Sequence, residues 1–402
     1  MLKTMILAGL VLAGSNFGCS VAQGQVRLSE EDVVRIGLDR ADFANWIDAG
    51  RAQAESRVAQ SGLWHNPEIE YSLEDVDLAA GSSSEQSFWL RQRFNLAGVP
   101  GLERRSASFE LAARNVELEL DRSEQAALIR RHFYQALGAS RRAEALSVWH
   151  ERFEQLVREV DDRARAGDAS RFDALRLRHE LTALGGERLE ARAEATAARH
   201  ALFGLIDHEP AHLVGALLPS ASDASGGQGG APSHARLRAL DAQIQAAELS
   251  ARAARRQRWP ELTLGLGRRE LDEPGLSANG HLVMVGLEIP IFDRALGRRN
   301  EEQARVRRLQ AERELLLSSL NSEIASLEEQ LDASRRSALA LAEIAGEASL
   351  AEMAEGAYAA GEIGVLELID AHRTELNAHR DQIRRALAAR YAKIELRLLK
   401  GE

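Results

Sequence analysis

The chain has 402 residues and a mass of 44.1 kDa, with 51 Lys+Arg against 61 Asp+Glu, for a net charge of −10 and a pI near 5.7. An acidic chain repels a phosphate backbone, which argues against nucleic acid as a partner. A mean hydropathy of −0.29 excludes a polytopic helical membrane protein and leaves a β-barrel open. Aromatics are 5% and charged residues 28%, with Ala, Leu, Glu and Arg dominating. That bias belongs to long helices and coiled coil rather than to a compact enzyme core.

At the N-terminus, Lys3 precedes the apolar run Met5 to Ala13, too short to cross a bilayer as a helix. Ser20-Val21-Ala22 then supplies the small-x-small pattern of a signal-peptidase site, so residues 1–22 read as an export signal. The one cysteine, Cys19, follows Gly18 as in a lipoprotein box and is the candidate for lipidation, in which case the signal ends before it. Asn16 stands where such a box usually has an aliphatic residue. A mature chain without thiols suits an oxidising periplasm.

Beyond the signal the chain repeats itself. Asn66-Pro67-Glu68-Ile69 recurs as Trp259-Pro260-Glu261-Leu262, and Ala164-Arg165-Ala166-Gly167-Asp168-Ala169 recurs as Tyr358-Ala359-Ala360-Gly361-Glu362-Ile363. The offset holds near ~193–198 residues, which marks a duplication: 26–219, then a Gly/Ser-rich linker at 220–233, then 234–402.

The first half predicts a helix from Ser29 to Leu63, two strands, a long helix from Leu102 to Arg165 and a shorter one from Ser170 to Gly204. The second predicts helix His234 to Arg258, two strands, a long helix Gly297 to Ala359 and a shorter one Gly364 to Leu399. At 1.5 Å per residue the first long helix reaches ~96 Å, and two shorter helices laid end to end match it. Leu146, Trp149, Phe153, Leu156 and Val160 step 3-4-3-4, the seam of a left-handed coiled coil. Val306, Leu309, Leu316 and Leu320 begin the same seam in the second half; Arg313 interrupts it, and Ile324, Leu327, Leu331, Ala338 and Leu341 resume it after a stutter.

The strands alternate. Ile69, Tyr71 and Leu73 interleave with Glu70, Ser72 and Glu74; Phe88, Leu90, Phe94 and Leu96 interleave with Trp89, Arg91, Arg93 and Asn95. Leu262, Leu264 and Leu266, then Val283, Val285, Leu287, Ile289 and Ile291, give two more apolar faces, the last made less clean by Leu282 and Met284. Segments of about ten residues are long enough to cross a bilayer when tilted, and alternation alone fits a soluble half-buried hairpin equally well. Four strands cannot seal a barrel, and an open edge cannot face lipid, so a membrane barrel would need strands from several chains; three chains give twelve.

His208-Glu209-Pro210-Ala211-His212 matches the H-E-x-x-H zinc pattern, but that chemistry needs both histidines on one helical face. Pro210 and the position past Gly204 argue against such a helix. No Ser/His/Asp or Cys/His nucleophilic set is visible, so no catalytic residue, metal site or cofactor is expected.

In these residues the chain resembles the TolC-like outer membrane efflux proteins. The likeness rests on Asn66-Pro67-Glu68, on Arg256-x-x-Trp259-Pro260-x-Leu262, and on the Tyr358-x-x-Gly361 turn leading to Glu367-Leu368-Ile369-Asp370-Ala371. Asn66-Pro67-Glu68 with its acidic strand is similar to the heavy-metal, CzcC-like branch. The stretch Asn95-Leu96-Ala97-Gly98-Val99-Pro100-Gly101 departs from that branch's usual Glu-Leu-Gly-Gly-Lys-Arg.

The resemblance implies a mainly α fold: two tandem repeats of strand-strand-long helix-short helix, forming a periplasmic tunnel below a shared trimeric β-barrel in the outer membrane. It implies a homotrimer in outer-membrane lipid, a passive exit duct for small molecules or metal cations, a periplasmic adaptor that opens it and an inner-membrane pump that drives it. Gly167, Asp168 and Ser170, with Gly361, Glu362 and Gly364, correspond to adaptor-docking tips; Tyr358, Glu367 and Asp370 correspond to the periplasmic entrance. Glu70 and Glu74 are the candidates to line the barrel lumen. The alternative is an exported periplasmic coiled-coil structural or adaptor-like protein without a barrel.

Overall fold

The computed structural model describes residues 27–78, 81–220, 231–292, 294–347 and 349–401. The expected signal, Cys19 and most of the expected linker lie outside the described residues. In chain order, β1 (Arg27–Leu28) leads into α1 (Glu30–Leu38) and α2 (Ala41–Gln60). Strands β2 (Glu68–Leu78) and β3 (Gly81–Asn95) follow, then α3 (Val99–Ala166), α4 (Arg171–Ile206) and β4 (His212–Leu213). The second half runs α5 (Ala235–Arg256), β5 (Glu261–Glu273), β6 (Leu276–Glu288), α6 (Leu296–Glu347), α7 (Leu350–Ala360) and α8 (Val365–Lys400).

Two helices expected to be continuous are broken, each for a polar reason. The stretch from Ser29 to Leu63 divides at Asp39-Arg40 because Arg40 turns its guanidinium to the Leu205 carbonyl, one of the unsatisfied acceptors ending α4. The long helix of the second half divides after Glu347. Ser349 caps α7 by accepting from the Glu352 amide at 3.2 Å, and Glu375 of α8 accepts from the Ala351 amide at 2.8 Å. Ser349-x-x-Glu352 is a helix-start pattern, so this break was legible in the sequence.

The seam residues are where the heptads put them: Leu146, Phe153, Leu156 and Val160 are buried on α3, and Leu309, Leu320, Leu331 and Ala338 on α6. Arg313, the interruption, forms an ion pair with Asp241 of α5, Nε to Oδ1 at 2.5 Å. At 68 residues α3 runs roughly 102 Å. It packs against α2, α5, α4 and α8 along its length, while α6 packs against α5 and α8. The largest core sits mid-length, where Ile129, Phe133 and Leu137 of α3 meet Val33 of α1, Leu202 and Ile206 of α4 and Ile394 of α8. Gly138 lets α8 close on α3 there: a Cβ at that position would stand 2.6 Å from Leu387 Cδ1. One small element was missed, a parallel ladder pairing Arg27 with His212 and Leu28 with Leu213, too short to leave a pattern.

The other four strands form one antiparallel sheet in the order β2-β3-β5-β6, with 11, 15, 13 and 13 residues, longer than the ten expected. The pairing of β3 with β5, Leu90 opposite Leu266, joins the two repeats.

Candidate functional site

The register decides which residues share a face. Ile69, Leu90, Leu266 and Val283 lie in one cross-strand row, so the alternating apolar sets named above for the four strands fall on the same side. That side is uncovered: Ile69 is 67% exposed, Leu266 63% and Val283 75%. Both outer strands, β2 and β6, have a partner on one edge only. A contiguous apolar face of this kind marks a membrane or protein contact. Along β6 and its extension, Val283 to Ile291 is eight steps, about 27 Å along the strand, close to the height of a transmembrane apolar band once tilted.

The opposite side is mixed, with Trp89, Leu271, Leu282 and Met284 among its charged and hydroxyl groups. Glu70 is ion-paired with Arg91, Ser72 and Ser87 hydroxyls lie 2.7 Å apart, and Glu85 is ion-paired with Arg269. Glu74 faces Glu85 across the ladder. Glu70 and Glu74 thus share this mixed face, with Glu70 neutralised by Arg91 and Glu74 adding to a local negative charge.

At the far end of the helices both tips have the same construction. Gly167 ends α3 at φ 90° and Gly361 ends α7 at φ 78°, each in the left-handed region. The amides just past them reach back: Asp168 N to Arg163 O at 2.8 Å, and Glu362 N to Ala357 O at 2.8 Å. These bonds satisfy orphaned helix-end carbonyls. Ser170 then starts α4 by accepting from the Phe172 amide at 3.1 Å, and Gly364 starts α8 without a side-chain cap. The two tips share one core, in which Leu177 of α4 and Leu368 of α8 are fully buried beside Val160 of α3.

Tyr358 is half-buried against this core, and burial, with the negative charge of Asp173 second, pushes its phenol pKa up. Glu367 and Asp370 are exposed, one turn apart on α8, while Val365, Leu368 and Ile369 point into the core. Ion pairs tie α4 to α8: Arg373 Nε lies 2.7 Å from Glu180 Oε1, and Arg380 pairs with Glu187. Each pair spans 193 residues, one short of the 194 that separates the two tip glycines.

Sequence reasoning missed the cluster above the tips. His372 of α8 is buried, with its ring edge-on to Trp149 and Phe153 of α3 at centroid distances of 5.8 and 5.2 Å. Its Nε2 lies 3.1 Å from Glu355 of α7, which also accepts from Arg152 Nε at 3.0 Å. Burial holds the imidazole pKa below its ordinary value; Glu355 and Glu375 pull it upward and Arg152 downward. His372 follows Ala371 just past the acidic segment, and only its place on the apolar stripe hinted at burial.

His208 lies past the end of α4 and His212 lies in β4, so no helical turn aligns the H-E-x-x-H residues. Among the described residues no group of His, Cys, Asp and Glu is placed to hold a metal ion, and no helix is long and apolar enough to cross a membrane.

Long paired helices ending in capped tips, with a four-stranded open sheet at the other end, make a fold shared with solved outer-membrane channels. CusC, solved in studies of folding and transmembrane channel formation, superposes with a TM-score of 0.76 over 94% of this chain and 92% of that one at 15% identity. VceC of Vibrio cholerae gives a TM-score of 0.72 over 92% and 96% at 15% identity, and the open-state MtrE channel of Neisseria gonorrhoeae 0.70 over 92% and 88% at 16%. Residues 232–402 match the family described as outer membrane efflux protein. The cobalt-zinc-cadmium resistance protein CzcC of Cupriavidus metallidurans is 26% identical over 346 residues, 81% of this chain and 78% of that protein. The second half of the chain thus matches the outer membrane efflux family, and the chain as a whole shares the fold of these solved channels.

Proposed function

We propose that three copies of this chain close a single twelve-stranded barrel in the outer membrane and form a passive exit duct of a tripartite efflux system. The observation that carries this is the sheet: four strands with both outer edges open and an apolar face uncovered by the chain's own helices. In lipid each unpaired backbone group would cost several kcal/mol, so β6 of one copy pairs with β2 of the next until the ring closes. Strand β6 runs antiparallel to β5 and β2 antiparallel to β3, so a β6–β2 junction continues the alternation. The exposed apolar face disfavours the barrel-free coiled-coil reading, which needs that face covered.

In this reading residues 1–22 direct export, 26–219 and 234–402 are the two repeats, and 220–233 links them. An adaptor docks on the tips at Gly167, Asp168 and Ser170 and at Gly361, Glu362 and Gly364, and an inner-membrane pump supplies the energy; the duct has no catalysis of its own. Glu367 and Asp370, repeated on three chains, form a negative ring at the periplasmic entrance with Tyr358 steadying it, and Glu74, beside the neutralised Glu70, lines the lumen. The cargo is small molecules or metal cations. The relative named for cobalt, zinc and cadmium resistance favours cations.

The test is the mass of the detergent-solubilised oligomer together with conductance in planar bilayers. A trimer with open or adaptor-dependent conductance is expected. A monomer that stays wholly soluble in the periplasmic fraction and conducts nothing would sink the proposal.

A further inference from the structure

We infer that the junction between sheet and helices is a collar that binds the headgroups of anionic phospholipids in the leaflet nearest the helices. This rests on the barrel reading above and goes beyond it. The apolar face does not stop at the ends of the strands. Leu96 continues the lipid-facing parity of β3, and Ile289 and Ile291 that of β6; they are 68%, 59% and 60% exposed. Trp64 packs edge-on against Phe94 at 5.7 Å and is 58% exposed, as is Trp259, which directly precedes the second strand pair. Exposed tryptophans at the end of an apolar band are the side chains that settle at headgroup level.

Guanidinium groups stand at the same level. Arg256 donates from Nη1 to the Ala97 carbonyl at 3.0 Å, next to Leu96, and Arg294 donates from Nε to the Ile291 carbonyl at 3.2 Å. Arg104 lies against Gly62, two residues before Trp64. All three are exposed. The segments 96–105, 255–258 and 289–299 hold eight arginines against two carboxylates, Glu103 and Asp293, in a chain of net charge −10. A positive ring beside an apolar band, on an otherwise acidic molecule, is complementary to a phosphodiester attached to acyl chains. A free phosphate would use the charge and leave the tryptophan rim unexplained.

The test uses the full chain in nanodiscs of phosphatidylcholine with and without phosphatidylglycerol, counting retained lipids by native mass spectrometry after detergent extraction. Wild type is expected to retain phosphatidylglycerol preferentially. The triple variant Arg104→Gln, Arg256→Gln, Arg294→Gln should lose about a hundredfold of that preference, at about fivefold per arginine. The corresponding Lys triple should keep most of it, and an Arg171→Gln, Arg176→Gln pair near the tips should keep all of it. Equal retention of both lipids by wild type, an undiminished preference in the Gln triple, a Lys triple as weak as the Gln triple, or full displacement by inorganic phosphate would each overturn the collar. A wild-type chain that never enters the discs would instead bring down the barrel reading, and the collar with it.

Discussion

The two tip glycines give a prediction with an internal control of opposite sign. Gly361 and Gly167 sit at φ 78° and 90°, and a Cβ at either would meet nothing within 4 Å. Replacement by alanine therefore adds no clash and removes no contact. What remains is the cost of holding an L-residue in the left-handed region, about 1–2 kcal/mol. Gly186 is also open to solvent but lies inside α4 with ordinary helical geometry, so Gly186→Ala should stabilise by about 0.5–1 kcal/mol. The assay is native-state hydrogen exchange, because the tip can open without the whole molecule unfolding. Amides of Tyr358 to Leu368 should exchange about 5- to 30-fold faster in Gly361→Ala, as 1–2 kcal/mol requires. Gly361→Asn should show a smaller effect, since asparagine tolerates that conformation. Unchanged protection in Gly361→Ala, or asparagine as harmful as alanine, would refute the backbone argument and place the tip's stability in some side-chain contact.

Two further outcomes test the entrance and the cluster above it. Glu367→Ala with Asp370→Ala should weaken divalent-cation block of single-channel current by about tenfold or more, through loss of a ring of negative charge; unchanged block would remove these residues from the entrance. Because burial keeps the folded-state pKa of His372 below its unfolded value near 6.5, the unfolded chain takes up the proton first. The stability conferred by neutral His372 is thus complete above pH ~6.5 and is lost as the pH falls below it toward the depressed folded value. Melting of wild type and His372→Gln across pH 8 to ~5.5 should show a shallower acid decline in the variant; parallel curves would exclude His372 as the source.

Much of this molecule is written locally. The duplication, the period-2 strands, the heptad seam on α3 and both glycine tips follow from residue spacing, because periodicity and left-handed turns are properties of a few neighbouring residues. The exposure of Glu367 and Asp370 opposite buried Leu368 and Ile369 follows from helical phase in the same way. Tertiary structure decided where distant polar groups find partners. Arg40 breaks a helix to reach a carbonyl at the end of α4, Glu375 holds the start of α7, Arg91 neutralises Glu70, and Arg152, Glu355 and His372 converge from three helices. The β3–β5 pairing that fuses the repeats into one open sheet was likewise settled in space. Sequence spacing records which face of an element is apolar, but a hydrogen bond or ion pair between residues 165 or 203 positions apart depends on how the helices dock, and only the folded chain specifies that.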